Sequence, residues 1–175
     1  MAFSLYDATI PNFRQIVGAV RGLLVKAEEH CAAHAIAPDA LIDARLAPDM
    51  QAFAYQVKSV AVHSLGAIEG VRAGRFSPDN STPPTTFEAL IARMAETEGA
   101  LAAVSREEVD GFVGRDMAFV FGDRRIEFVA ETFLMTFSLP NFFFHATTSY
   151  DILRAQGLPL GKRDFLGSLR VKGQA

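Results

Sequence analysis

The sequence predicts an all-α fold: an antiparallel four-helix bundle with a small β-hairpin before the last helix. Three observations predict it. Four long stretches repeat apolar residues at spacings of three and four, which gathers them on one helical face. Capping residues and prolines mark where those stretches begin. One short segment, 116–128, changes to strand-forming residues around a turn at Gly122-Asp123.

Residues 4–34 read as the first long helix. Ser4 and Asp7 form a plausible N-terminal cap, and Tyr6, Ile10, Phe13, Val17, Val20, Leu24, Ala27 and Cys31 make one apolar stripe. Pro11 falls in the second turn, where it is expected to bend the helix start. Residues 34–48 are a connector with a short turn opened by Pro38-Asp39 and pinned to the core by Leu41, Ile42 and Leu46. The second helix spans roughly 48–72, with Pro48 near its first turn. Its inward stripe is Phe53, Gln56, Val60, His63 and Ala67, and Gln56 and His63 are its polar members.

Residues 74–84, GRFSPDNSTPP, are a loop by composition. Thr85 with Glu88 makes a capping box for a third helix over about 86–104, whose stripe is Phe87, Leu90, Met94, Leu101 and Val104. Ser105 with Glu108 caps a further short turn. After the hairpin, a fourth helix runs from about 130 to 156 with Pro140 inside it. A proline there is expected to kink the helix and free a carbonyl one turn upstream. Gly157 suits the C-terminal cap. Residues 158–175 are a tail whose basic end frays from about 168.

With 175 residues, one domain over 1–175 is the natural count. A chain of this size buries roughly 70% of its unfolded surface, so the fold needs no disulfide or metal staple. Phenylalanine is over-used, with 15 Phe against 3 Tyr and no Trp. The net charge of -3 argues against a nucleic-acid partner, whose protein surface would be basic. The lone Cys31 excludes an internal disulfide framework and fits a cytoplasmic location. No secretory signal and no uninterrupted apolar run of membrane-spanning length is found, so no membrane partner is expected.

The functional hint is a polar stripe. On a helix, Asn141, His145, Thr148, Ser149 and Ile152 lie at i, i+4, i+7, i+8 and i+11. Buried polar groups cost free energy unless paired with each other, water or a ligand. Gln56, His63, Asn141, His145 and Thr148 are therefore the candidate ligand pocket. A buried neutral imidazole serves as a general base or a metal ligand, which makes His145 the candidate catalytic base. It can equally be a core histidine bonded to a carbonyl. His63 and His145 are the candidate metal ligands, with Asp49 or Asp151 as conceivable carboxylates; the set lacks the third donor usual at catalytic zinc. His30, Cys31 and His34 form a second cluster, at a helix C-terminus where histidines are favoured by the dipole alone. Lys162, Arg163, Arg170 and Lys172 could meet an anion, and solvated charge accounts for them as well. The chain has no nucleophile elbow and no phosphate-binding glycine loop.

The segments SLYDATIPNF, RLAPDM and LPNFFFHATTSYDILRAQGLPLGKRDFLG resemble an uncharacterised family of bacterial proteins grouped with the DinB/YfiT-like superfamily, over essentially the whole chain. The resemblance implies a DinB-like four-helix bundle, often a homodimer, in a superfamily classed as metalloenzymes; some relatives are thiol-dependent transferases or isomerases. In its metal-binding members three histidines hold a divalent ion, one from the second helix and an H-x-x-x-H pair from the fourth. His145 matches the second histidine of that pair, and the first falls on Asn141. The second-helix histidine falls near Gln56, or on His63 with a shift of two turns. The chain thus departs from the pattern at one or two of three ligands. Three readings follow: a core pocket for a small ligand or a degraded metal site; a metal-dependent hydrolase or thiol transferase using Ni²⁺ or Zn²⁺ on His63 and His145; and a non-enzymatic dimeric interaction protein. Whether the chain is an enzyme stays open at this point.

Overall fold

The first helix is set by its cap. Asp7 N–H donates to Ser4 Oγ at 3.5 Å and Ser4 N–H donates to Asp7 Oδ2 at 3.2 Å, so two orphan donors are met reciprocally and α1 runs Leu5–His34. Arg106 grips the same carboxylate through both guanidinium nitrogens, at 2.5 and 2.8 Å, and holds the Asp7 carboxyl well below the usual carboxylate range. The structure is a computed structural model and describes residues 2–173. Of the tail expected to fray, residues 174 and 175 lie outside the described residues.

The chain continues as α2 (Pro38–Ile42), α3 (Phe53–Val62), α4 (Leu65–Ala73), β1 (Arg75–Phe76), α5 (Phe87–Ala102), α6 (Arg106–Asp110), β2 (Asp116–Phe121) and β3 (Arg124–Val129). A last helical run comprises α7 (Ala130–Thr132), a π-helical stretch (Phe133–Ser138) and α8 (Leu139–Ala155); α9 (Lys162–Leu166) follows. The fold is mostly helical with a small three-stranded sheet. α1 lies along α5, and α3 along α8, with α1–α8 and α3–α5 contacts closing the core. Phe13 of α1 meets Phe142 of α8 edge-on with ring centroids 4.8 Å apart, and both rings are fully buried.

The sheet has the order β1-β2-β3. β1 pairs in parallel with β2, Phe76 opposite Phe119, and β2 pairs antiparallel with β3, Met117 opposite Phe128. Side chains alternate along a strand, so Met117 and Phe119 share a face. Phe76, Phe119 and Phe128 meet Phe133 and Phe137 of the π stretch, with centroid distances of 5.0 to 6.4 Å across the group. This aromatic layer accounts for much of the excess phenylalanine and fastens the sheet to the last helical run.

Several expectations need correction. The second helix does not start near Pro48 or run unbroken to Arg72; it starts at Phe53 and breaks at His63-Ser64. There Ser64 Oγ donates to Val60 O at 2.7 Å, and Ser138 Oγ donates to His63 O at 2.8 Å, so hydroxyls replace the missing backbone donors. The segment 74–84 is not all loop. Gly74 ends α4 in the left-handed conformation, and the next two residues form β1. The third helix is capped by Thr86, whose Oγ1 accepts from Ala89 N at 3.2 Å, one residue later than expected. Leu46 does not pin the connector; it is 44% exposed. Pro140 does not interrupt an α-helix midway. It falls at the start of α8, and the chain widens just before it, with Leu139 N–H bonding to Leu134 O in the i to i−5 pattern. The tail also forms a helical turn, α9.

Lys58 is a further feature of the fold, only 1% exposed. Its ammonium donates to Asp79 O and Ser81 O, each at 2.7 Å, and lies 3.5 Å from Asp79 Oδ1. Three acceptors match the three donors of an ammonium, so the charge is buried but satisfied. The loop after β1 is thereby tied to α3. Lys58→Met fills the same space without the donors, and is expected to lose about 1–3 kcal/mol through the unpaired carbonyls. A lowered midpoint in urea unfolding, with faster proteolysis within 77–86, is the expected readout; an unchanged midpoint would assign the loop's hold to its apolar contacts.

Candidate functional site

The aromatic layer delivers one histidine to the site and the last helical run, after its π stretch, delivers the other. His63 ends α3 with its ring against Phe76 and Phe137, centroids 5.5 and 5.9 Å away. On α8, His145 stacks on His63, centroids 5.5 Å apart and planes at 15°. Gln56, two turns before His63, is buried and presents Oε1 2.7 Å from His145 Nδ1. The stripe on the second helix and the stripe on the fourth therefore meet at Gln56, His63 and His145.

The hydrogen bonds define the imidazole tautomer. Gln56 Nε2 donates to Gln51 O at 3.0 Å, so its Oε1 faces His145. An amide oxygen only accepts, so His145 Nδ1 carries the proton and donates. In the neutral ring, Nε2 then holds the free lone pair, and among the described residues no protein group donates to it. His63 differs: among the described residues its buried Nδ1 has no hydrogen-bond partner. An unmet buried polar atom costs about 1–3 kcal/mol, which a hydrogen-bonding partner on a bound molecule would recover.

Electrostatics keep both rings neutral. Burial pushes the His63 and His145 pKa values down from 6.5 to about 4, and for His63 the neighbouring His145 adds to it. A group with a pKa near 4 takes protons weakly at neutral pH. The pair is thus better suited to accepting hydrogen bonds than to abstracting protons.

The remaining predicted residues are less engaged. Asn141 donates Nδ2 to Phe137 O of its own helix at 2.7 Å, across the π-to-α junction. Its amide donor serves the backbone there, and no hydrogen bond joins Asn141 to Gln56 or His145 among the described residues. Thr148 is buried, also without a hydrogen bond to either. Ser149 Oγ donates to His145 O at 2.8 Å, an intrahelical bond that steadies the turn. A groove of about 610 Å³ between α4, β1 and α5 is lined by Asp79 and Arg93 among others, and by none of the five predicted residues.

Among the described residues no three His, Cys, Asp or Glu side chains come together, so neither Asp49 nor Asp151 joins His63 and His145. Gln56 Oε1 is occupied by His145 Nδ1. Two imidazoles with no anionic or third imidazole donor do not fit a tetrahedral metal centre. The His30–Cys31–His34 cluster does not converge either: Cys31 turns into the core, where burial pushes its thiol up, while His34 Nδ1 sits 2.9 Å from His30 O. Sequence reasoning missed Lys58 and Asp79; a lysine flanked by Val57, Val60 and Ala61 on α3 was the available signal.

The profile of a domain of unknown function, DUF1993, matches residues 5–166. The chain belongs to that family. A solved structure described as a DinB family member protein from Shewanella denitrificans is similar to this DUF1993 chain, with a TM-score of 0.80 and 24% identity over 97% of this chain and 96% of that one. At that identity the likeness concerns the fold, which is DinB-like. No curated protein matches the DUF1993 chain. Among the described residues no helix is long and apolar enough to cross a membrane.

The neutral imidazoles make stability pH-dependent. In the unfolded chain each protonates near 6.5, in the folded one near 4. Between those values the unfolded state binds more protons, so stability falls as pH drops from 6.5 toward 4. Few carboxylates titrate above pH 5, so the histidines govern that part of the window. Urea midpoints should decline from pH 6.5 to 5 in the wild type and decline less in His63→Gln/His145→Gln; equal slopes would show that the rings are not held neutral.

Proposed function

We propose that the chain binds a small molecule at the His63–His145–Gln56 group, through hydrogen-bond donors on that molecule. One observation carries the reading: the Gln56–His145 bond of 2.7 Å fixes His145 as the Nδ1–H tautomer and leaves Nε2 as an acceptor beside a second neutral ring. The buried, unpaired His63 Nδ1 supports it, and serves as a second acceptor in the Nε2–H tautomer. A neutral polar molecule with two N–H or O–H groups matches that pair, whereas a cationic one gains nothing from a fixed anion there. His145 would be the main contact, Gln56 its positioning residue, and Asn141 and Thr148 would shape the α8 side. A four-helix bundle, as the resemblance implies, would be the frame that supplies the facing helices.

This reading treats the group as descended from a metal site whose first fourth-helix ligand is now Asn141. Zn²⁺ or Ni²⁺ titrated into tag-free protein should then fail to bind one-to-one, and tight stoichiometric binding lost in His145→Ala would restore the hydrolase or transferase reading.

The tautomer is directly measurable. Long-range ¹⁵N NMR of the imidazoles should show His145 neutral with the proton on Nδ1 from pH 8 to about 5. Gln56→Glu should raise the His145 pKa by placing a carboxylate on Nδ1–H. A thermal-shift screen of neutral metabolites should return hits that Gln56→Glu and His145→Phe lose. An Nε2–H tautomer, or a His145 already charged at pH 7, would overturn the proposal.

A second reading is assembly. Phe143 and Phe144 project from the outer side of α8, 36% and 54% exposed. They favour a homodimer in the cytoplasm that shields them. Light scattering at micromolar concentration should then give twice the chain mass, and Phe144→Lys should return the monomer.

A further inference from the structure

The tail that composition marks as solvated charge is folded against α1. Gln15 Nε2 donates to Leu166 O at 2.8 Å, Arg170 Nη2 donates to Asn12 Oδ1 at 2.8 Å, and Lys26 pairs with Asp164. Gly167 permits the close crossing: it has φ +60°, and a Cβ there would lie 3.1 Å from Ala19 Cβ and 3.3 Å from Gln15 O. Between α1 and this wall lies a groove of about 630 Å³, with Gly18 and Gly22 among the residues beneath it. None of Gln56, His63, Asn141, His145 or Thr148 lines it.

The charge of the groove is one-sided. Arg14, Arg21, Lys26, Arg163 and Arg170 line it, against two carboxylates, Glu98 and Asp164. Five cations against two anions leaves a surplus of three positive charges, in a chain whose net charge is -3. Both carboxylates are already engaged, Glu98 with Arg21 at 3.3 Å and Asp164 with Lys26. Among the described residues Arg14 and Arg163 have no ion pair, and Arg170 bonds only a neutral amide. Guanidinium groups grouped without counter-charge repel one another, and a multivalent anion relieves that repulsion. The guanidinium fork matches phosphate oxygens in pairs, and the volume lies in the range of small-molecule sites.

We propose that this groove binds a phosphorylated small molecule carrying at least two negative charges, held by Arg14, Arg163 and Arg170. The proposal is independent of the His63–His145 reading.

The probes are sodium pyrophosphate and ATP, titrated by calorimetry into the full chain at low ionic strength. Adenosine controls for base contacts and citrate for charge without phosphate. One pyrophosphate or ATP per chain is expected with a sub-millimolar Kd, weakening as NaCl is added. Arg14→Gln/Arg163→Gln should weaken it by about tenfold or more. Neither arginine makes an ion pair in the fold, so the double variant should keep the wild-type thermal midpoint. Absence of binding at about 10 mM, an unchanged Kd in the double variant, or citrate binding as tightly as pyrophosphate would each overturn the proposal.

Discussion

Two interruptions of helical hydrogen bonding meet at one bond, from Ser138 Oγ to His63 O. On one side α3 ends at His63; on the other the π stretch ends at Ser138. A lone break of either kind leaves a backbone group in search of a partner, and burial makes that search costly. Bringing the breaks together satisfies the carbonyl and fixes the two chains at that height. His63 is then held against the aromatic layer, and His145, two turns into α8, falls beside it. The site is therefore a consequence of where regular helix fails. Pro140, which cannot donate, and Ser64, which bonds back to its own helix, are the residues that make it fail there.

The chemistry of the pair follows from its surroundings. Phenylalanine rings lie along one side of His63, and a buried amide meets His145, with no carboxylate grouped with them among the described residues. Such surroundings disfavour the imidazolium and favour the neutral ring. A carboxylate in place of Gln56 would reverse that preference. The DinB-like resemblance implies a second-helix ligand near Gln56, or on His63 with a shift of two turns. Gln56 can orient His145 but adds no charge, and Asn141 gives its donor to Phe137 O. Both amides thus have structural employment of their own.

What could be read from the sequence was what depends on near neighbours. The Ser4–Asp7 cap, the stripe from Ile10 to Cys31 and the Ser105 cap all rest on residues within a few turns, and all are present. Gln56 and His63 could be placed on one helical stripe by spacing alone, and His145 on another. That the stripes meet at these three residues required the fold. The break at His63-Ser64 was invisible because the hydroxyl that meets the freed His63 carbonyl, that of Ser138, is 75 residues away. β1 was invisible because two residues become a strand only when β2 arrives beside them. Lys58 was passed over for the same reason: a lysine among valines looks solvated until Asp79 and Ser81 are folded onto it. Asn141 shows the opposite error, since a residue at the right spacing for the site spends its side chain on its own helix.

α1 touches α5, α6, α8 and α9, so it is the element against which most others are assembled. It also precedes all of them in the chain, so it is made before they are. Gln15 must wait for Leu166, which lies 151 residues downstream. At ribosomal speeds of about 5–20 residues per second, that delay is roughly 8–30 s. For that time a 30-residue helix with an apolar stripe from Ile10 to Cys31 has only part of its covering. The nascent chain therefore carries that stripe only partly covered until the tail arrives, and its demand for a chaperone falls in that interval.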